Sequence, residues 1–273
     1  MIPDNITNTI YFSELLKIDK RFSKTYNEIE AALDLFGIQP KLLKKTKDIW
    51  ARDYMPIQIA DDRFVEYNYN PNYLKNISGI KTNPKLVCDS INLKTIKSDL
   101  IIDGGNIVKS ENCIILTNKV FSENKHTYNE KELLNQLYNT FEVDKVVIFP
   151  WDENEIYGHS DGVLRFIDKD NVLISGIYRE DKDLQYYLKK SGIKFCFLEL
   201  EQENKVNWAY INFLQTKDVI LLPKFGIKED EKVLKQFKNY FPEYSNSGII
   251  QINMKEVAKY DGALNCISWT VKE

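Results

Sequence analysis

Apolar and polar positions follow one recurring order along the chain: strand, turn, strand, helix, strand. The stretch GHSDGVLRFIDKDNVLISGIYREDKDLQYYLKKSGIKFCFLEL carries two apolar runs, then Leu184, Tyr187 and Leu188 at helical spacing, then a third apolar run. The order returns in WAYINFLQTKDVILLPKFGIKEDEKVLKQFKNYFPEYSNSGIIQIN, with strands expected in YINFL, VILLP and IIQI and a helix through Val233, Leu234, Phe237 and Phe241. A further copy precedes both, DGGNIVKSENCIILTNKVFSENKHTYNEKELLNQLYNTFEVDKVVIFP, its helix running through Leu133, Leu134, Leu137 and Phe141. Self-similarity of this kind marks a repeat architecture.

Two more units are partial. After WARDYMPIQIADDRFVEYNYN comes an irregular segment rich in Asn and Tyr, so this unit is expected to spend its length on a loop in place of a regular helix. The terminal GALNCISWTV supplies strands, with Cys266 in the middle of what reads as a buried run. The N-terminal part supplies an amphipathic helix with Phe22, Tyr26, Ile29, Leu33 and Phe36 on one face and Gly37 as its C-cap. Joining the two ends, with the N-terminal helix completing the last repeat, gives a fifth unit and leaves no sheet edge open. The expectation is an α/β fold, a five-bladed α/β propeller of ββαβ repeats about a pseudo-fivefold axis, spanning residues 1–273 as one domain.

Composition narrows the partners. The 273 residues are 43% hydrophobic, enough for a sizeable core. Lys and Arg number 37 against 40 Asp and Glu, a net charge of −3, which offers no basic field for nucleic acid and no polybasic membrane patch. KLLKKTK reads as a solvated helix end. No basic segment followed by an apolar one opens the chain and no apolar run is long enough to span a membrane, so a cytoplasmic protein is expected. Cys88, Cys113, Cys196 and Cys266 lie far apart and show neither metal-ligand nor disulfide-framework spacing.

Alignment of the units changes the standing of Cys266, which taken alone is a small hydrophobe in a core. Asp53, Asp103, His159 with Asp161, the Tyr210 and Asn212 region, and Cys266 fall at equivalent places near the start of each unit's first strand, at intervals of 50 to 56 residues. In a closed ring, equivalent positions face a common axis. A thiol, an imidazole and several carboxylates in one pocket suit covalent chemistry on a guanidinium: the thiolate attacks, and a bound cation with an adjacent imidazolium favours its ionised form. Asp53, Asp103 and Asp161 are candidate acceptors for the planar N–H fork. His159 could protonate departing ammonia and then deprotonate water. Each residue also has a plainer reading: Asp53 as an ion pair with Arg52, Asp103 as a tight-turn residue, His159 as a turn histidine, Trp50 as packing. His126, in the polar NKHTYNE, is expected to be exposed, and Arg165 to support a neighbouring carboxylate.

WARDYMP, DGGN, GHSDG and GALNCIS, in this order between Trp50 and Trp269, resemble the guanidine-modifying superfamily of the pentein fold, and within it the agmatine deiminase and bacterial-type peptidylarginine deiminase family. The resemblance implies that Cys266 is the nucleophile of a covalent thiouronium intermediate, that His159 is the general acid and base, and that Asp53 and Asp161 clamp the guanidinium. Asp103 stands where related deiminases often carry glutamate, and would hold the imidazole or the substrate from farther back. Trp50 and Asn265 are candidate substrate contacts, and Asn265 replaces the usual histidine with a side chain that does not titrate near neutrality. No metal or organic cofactor is implied, and the family's habit implies a homodimer. The implied reaction is agmatine and water to N-carbamoylputrescine and ammonia, a step of putrescine and polyamine biosynthesis. The alternatives are a peptidylarginine or free-arginine deiminase, an amidinotransferase, and a non-catalytic pentein that serves as a binding module.

Overall fold

The computed structural model describes residues 1–75, 79–151, 155–201 and 205–273. Five three-stranded sheets are present, each with the same internal order. The first unit is Ile57–Ala60, Arg63–Asn68 and Ile96–Ile101; the second is Val108–Lys109, Cys113–Thr117 and Lys145–Phe149; the third is Leu164–Phe166, Asn171–Ser175 and Lys194–Leu198. The fourth is Leu214–Gln215, Ile220–Lys224 and Ile249–Asn253. In every unit the second strand lies in the middle, antiparallel to the first and parallel to the third. A parallel partner requires a crossover, and a helix supplies it in each case. Glu130–Phe141 does so in the second unit, started by a capping box between Asn129 and Glu132 and burying Leu133, Leu137 and Phe141. In the fourth, Phe237 and Phe241 of the crossover segment meet Phe213, with ring centroids 5.1 and 5.4 Å apart.

The fifth unit is assembled from both ends of the chain. Ser268–Val271 pairs antiparallel with Thr9–Ser13, in register from Thr9 opposite Val271 to Phe12 opposite Ser268. Helix Ser23–Asp34 then crosses over to Lys41–Leu43, parallel to Tyr11–Ser13. The five-unit ring expected from the repeats is therefore present, closed where the ends meet.

Four local expectations are corrected. KLLKKTK does not end a helix: Lys41–Leu43 is a strand, because Leu43 is buried while Lys41 reaches Glu273 at 2.5 Å. YINFL is not a strand: residues Asn207–Ile211 form a helical turn and only Leu214 enters the sheet, since Tyr210 is drawn to Asp230 (2.6 Å) and Asn212 to the turn before Cys266. The first unit does contain a crossover helix, Pro84–Ser90, after its Asn- and Tyr-rich loop, with proline in the first turn where its missing N–H costs nothing. Cys266 lies in the turn that leads into Ser268–Val271, not within the strand. No helix among the described residues is long and apolar enough to cross a membrane.

The N-terminal segment is fastened across three units by one carboxylate. Asp4 Oδ1 is 2.5 Å from Lys109 Nζ and 3.8 Å from Arg52 Nη1, and Oδ2 is 2.7 Å from Arg165 Nη2. Burial alone would raise the Asp4 pKa, but Lys109, Arg52 and Arg165 together hold it well below the usual carboxylate range. Asp4→Asn leaves three buried cations without this counter-charge and is expected to destabilise the fold by about 3–5 kcal/mol, read as a lowered urea midpoint. Because the folded-state pKa is depressed, the stabilisation is complete above about pH 4 and fades below it. The gap between wild type and Asp4→Asn should narrow accordingly in acid.

Candidate active site

Each chemically capable side chain is presented by a short turn that runs into the first strand of its unit: Ala51–Tyr54, Gly104–Asn106, Ser160–Gly162, Asn207–Ile211 and the turn over residues 264–267. The turns converge on a cavity of about 720 Å³, whose lining includes Trp50, Asp53, His159, Asp161, Asn212 and Cys266.

Hydrogen bonds fix these groups relative to one another. His159 Nε2 lies 3.1 Å from Asp103 Oδ2, and Nδ1 lies 3.7 Å from Asp53 Oδ1. Asp103 Oδ2 also accepts from Lys119 Nζ at 2.9 Å, and Lys119 donates to the Tyr157 carbonyl at 2.5 Å. Gly105 N–H donates to Asp53 Oδ1 at 3.1 Å. A Cβ at Gly105 would come within 2.5 Å of His159 Nδ1 and 2.7 Å of Asp53 Oδ1, so DGGN is a point of close approach as well as a turn. Asn106 Oδ1 accepts the Thr117 N–H at 2.9 Å, and the Thr117 hydroxyl donates to the Gly158 carbonyl at 2.7 Å, which ties DGGN to GHSDG. The Cys266 turn is held by the Arg52 N–H, which donates to the Cys266 carbonyl at 3.1 Å. Cys266 Sγ is 3.9 Å from Asp161 Oδ2.

Burial and neighbouring charge set the protonation states. Burial opposes a charged His159, yet Asp53 and Asp103 raise it to about 9, so the ring is an imidazolium at neutral pH. Asp53 is pushed up to about 7 by burial and by Asp103 and Asp161, against the pull of His159. Burial also works against an ionised Asp103, but His159 and Lys119 hold it below the usual carboxylate range. The Cys266 thiol is pushed well above its ordinary range by burial, then by Asp161 and Asp53. In the free protein the sulfur therefore keeps its proton, and a cation placed between the two carboxylates would cancel the field that holds it there. Among the described residues no group of three or more His, Cys, Asp or Glu side chains is placed to hold a metal ion.

Of the residues singled out in the sequence, Cys266, His159, Asp161, Asp53 and Trp50 all line the cavity. Trp50 is both wall and packing: a Cβ at Gly262 would lie 1.9 Å from its ring, so the indole sits directly on the backbone just ahead of the Cys266 turn. Asp103 stands behind His159, and its Oδ2 lies at hydrogen-bond distance from the imidazole. Asn265, the other candidate substrate contact, is buried beside Asp161. Its Nδ2 donates to Asp161 Oδ2 at 2.6 Å, because the turn that aims Cys266 into the cavity aims its neighbour at Asp161. His126 is exposed and takes no part, and Arg165 supports Asp4. Lys119 left no motif in the sequence; a lysine next to an apolar residue in TNKVF gives no sign that it is buried. Asn212 could be found as the fourth member of the ring, but its contacts could not.

Residues 15–271 match the family described as Porphyromonas-type peptidyl-arginine deiminase. A curated relative from Enterococcus faecalis, provisionally described as an agmatine deiminase, is 24% identical over 81% of this chain and 74% of its own. Among solved structures, C. jejuni agmatine deiminase superposes with a TM-score of 0.77 at 19% identity, covering 100% of this chain and 95% of that one. The DDAH of Pseudomonas aeruginosa, a cysteine-to-serine form complexed with citrulline, gives a TM-score of 0.61 at 12% identity over 97% and 99%. At these identities the solved structures bear on the fold, the same five-unit pentein ring. The match over residues 15–271 carries the assignment: this chain belongs to the Porphyromonas-type peptidyl-arginine deiminase family.

Proposed function

We propose that the chain is a guanidine deiminase acting on an aminoalkylguanidine, hydrolysing agmatine to N-carbamoylputrescine and ammonia, with residues 1–273 working as one catalytic unit. The observation that carries this reading is the charge of the cavity wall. Beyond Asp53 and Asp161 the described lining includes the carboxylates of Asp48, Glu155, Asp181 and Asp261 and several aromatic rings, and no Lys or Arg. Aromatic faces and carboxylates suit an ammonium tail. The α-carboxylate of free arginine would meet no Lys or Arg in the described lining, and the His159 imidazolium is already engaged by Asp53 and Asp103. The C. jejuni relative bears the same activity in its name.

The geometry supports a stepwise course. The guanidinium sits between Asp53 and Asp161, and the Cys266 sulfur, its proton released to water, forms a bond to the guanidinium carbon. The His159 imidazolium gives its proton to one nitrogen of the tetrahedral adduct, ammonia leaves, and a thiouronium remains. Neutral His159, steadied by Asp103, takes a proton from water as the oxygen attacks. Collapse of the second adduct, its hydroxyl proton passing to water, breaks the carbon–sulfur bond and gives the urea product and the thiolate.

Ammonia release from purified protein offered agmatine, free arginine and an arginine-containing peptide tests the reading. Agmatine is expected to be turned over, and Cys266→Ala to lose more than about 10⁴-fold in kcat. Turnover of free arginine in preference to agmatine would overturn the assignment of the tail. The pH dependence is a separate check. Protonation of Asp53 removes a clamp carboxylate as pH falls through about 7, and His159 loses the proton it must donate as pH rises through about 9. For agmatine, kcat/KM should therefore rise steeply up to about pH 7, less steeply from there to about 9, and level above it, where loss of the His159 proton offsets further ionisation of the Cys266 thiol, since that ratio reports the free enzyme.

A further inference from the structure

Lys119 touches groups that the steps above use, and none of those steps uses it. It opens helix Lys119–Asn124 of the second unit, and its side chain is 3% exposed. An ammonium so buried is costly unless its N–H groups are met. Here Nζ lies 2.9 Å from Asp103 Oδ2 and 3.4 Å from Glu123 Oε1, and donates to the Tyr157 carbonyl at 2.5 Å. It also sits over the Tyr73 ring, 4.7 Å from the centroid. The stem runs past Gly158, where a Cβ would come within 2.9 Å of Lys119 Cδ, so the residue before His159 has no side chain and the lysine takes the space. The oxygen that meets this ammonium is the one that meets the imidazole. Asp103 Oδ2 is also 3.1 Å from His159 Nε2, while Oδ1, equally buried, has no hydrogen-bond partner among the described residues. Two cations crowd onto one oxygen, and each weakens the hold of that oxygen on the other.

We propose that Lys119 is a positioning residue acting through Asp103: it fixes the carboxylate against the His159 ring and, by sharing Oδ2, loosens the grip of the ring on its proton. Its value in turnover rests on the reading of His159 as acid and base. Asp53 and Asp103 flank the imidazolium and both tighten its proton. An acid held in that way is slow to protonate departing ammonia and slow to turn neutral before water attacks. A positive charge behind one of the carboxylates offsets part of the pull from outside the cavity lining, where it does not compete with the guanidinium. The direction agrees, since Lys119 opposes Asp53 and Asp103 in setting the proton affinity of His159. The other titratable groups facing the ring or the ammonium are Glu123, Tyr73 and Tyr157. Burial pushes both phenols up, so they stay uncharged where His159 titrates. Burial and Asp103 push Glu123 up to about 7, so at that point it is a carboxylate and balances Lys119.

The test is the titration of the His159 ring, followed by NMR in the full chain. Only two histidines are present and His126 is exposed, so the His159 Cε1–H resonance is assigned with His126→Gln. The wild-type midpoint is expected near 9, and in folded Lys119→Met it should rise by about one pH unit, a tenfold tighter hold on the proton. A lysine that served packing alone predicts the opposite: without it Asp103 would slacken and the midpoint would fall. A midpoint that stays or falls overturns the proposal. Should Lys119→Met not fold, Lys119→Met combined with Glu123→Gln removes the ammonium and its balancing carboxylate together, and the same upward direction is required. With agmatine, the pH at which kcat/KM levels should climb with the midpoint. Ammonia release by the wild type tells two failures apart. Turnover with an unmoved midpoint sinks the role of Lys119 alone; no turnover of any guanidine sinks the reading of His159 as acid and base, and the midpoint still decides whether Lys119 acts on the ring.

Discussion

A ring of five sheets has no beginning, whereas a chain has two ends, and the pairing of Ser268–Val271 with Thr9–Ser13 reconciles them. Cys266 stands two residues before that seam. Its position therefore depends on the seam more than on anything in its own neighbourhood. Trp269, inside the seam strand, packs on Tyr11 with ring centroids 5.0 Å apart and donates its Nε1–H to the Pro56 carbonyl at 2.7 Å. The strand that follows Cys266 is thus bound on one side to the start of the chain and on the other to the start of the first unit, at Pro56. Were the pairing to open, the carboxylates and the imidazole could stay where they are and the thiol would be lost to them.

Charge around the site is layered. Asp53 and Asp161 face the cavity, His159 lies between Asp53 and Asp103, and Lys119 backs Asp103. Deeper in the protein, Arg52 and Arg165 meet Asp4. Burying so many charges is costly unless each has a partner of opposite sign; Lys119 and Asp103 pair within the second unit, while His159 reaches Asp103 and Asp53 in other units of the ring. Arg52 shows the economy of the arrangement. Its guanidinium faces Asp4, its backbone N–H holds the Cys266 carbonyl, and its neighbour in sequence is Asp53, on the cavity wall. The plain reading of Arg52 and Asp53 as a surface ion pair does not hold, because the two side chains serve opposite sides of one turn.

The ring was legible because apolar runs and helix faces repeat, and because equivalent residues fall at near-equal intervals. What escaped was whatever depends on a few local hydrogen bonds overriding that pattern. YINFL has the composition of a strand, yet Asn212 is needed at the Cys266 turn and the backbone bends to deliver it. KLLKKTK has the charge of a solvated helix end, yet one leucine belongs under the sheet. Asp53, His159, Asp161 and Cys266 could be read as a set since each sits in a distinctive short motif. Asp4 and Lys119 could not, because a buried ion pair between residues far apart in sequence leaves no trace in either segment.

The seam also orders events in time. Asn8 and Glu273, which bond across it, are 265 residues apart in sequence, so its formation waits on a long-range encounter of the kind that slows folding. During synthesis, Asp53, Asp103, His159 and Asp161 all leave the ribosome before Cys266 does. The Cys266 thiol is thus the last of these groups to be made, two residues ahead of the strand that shuts the ring.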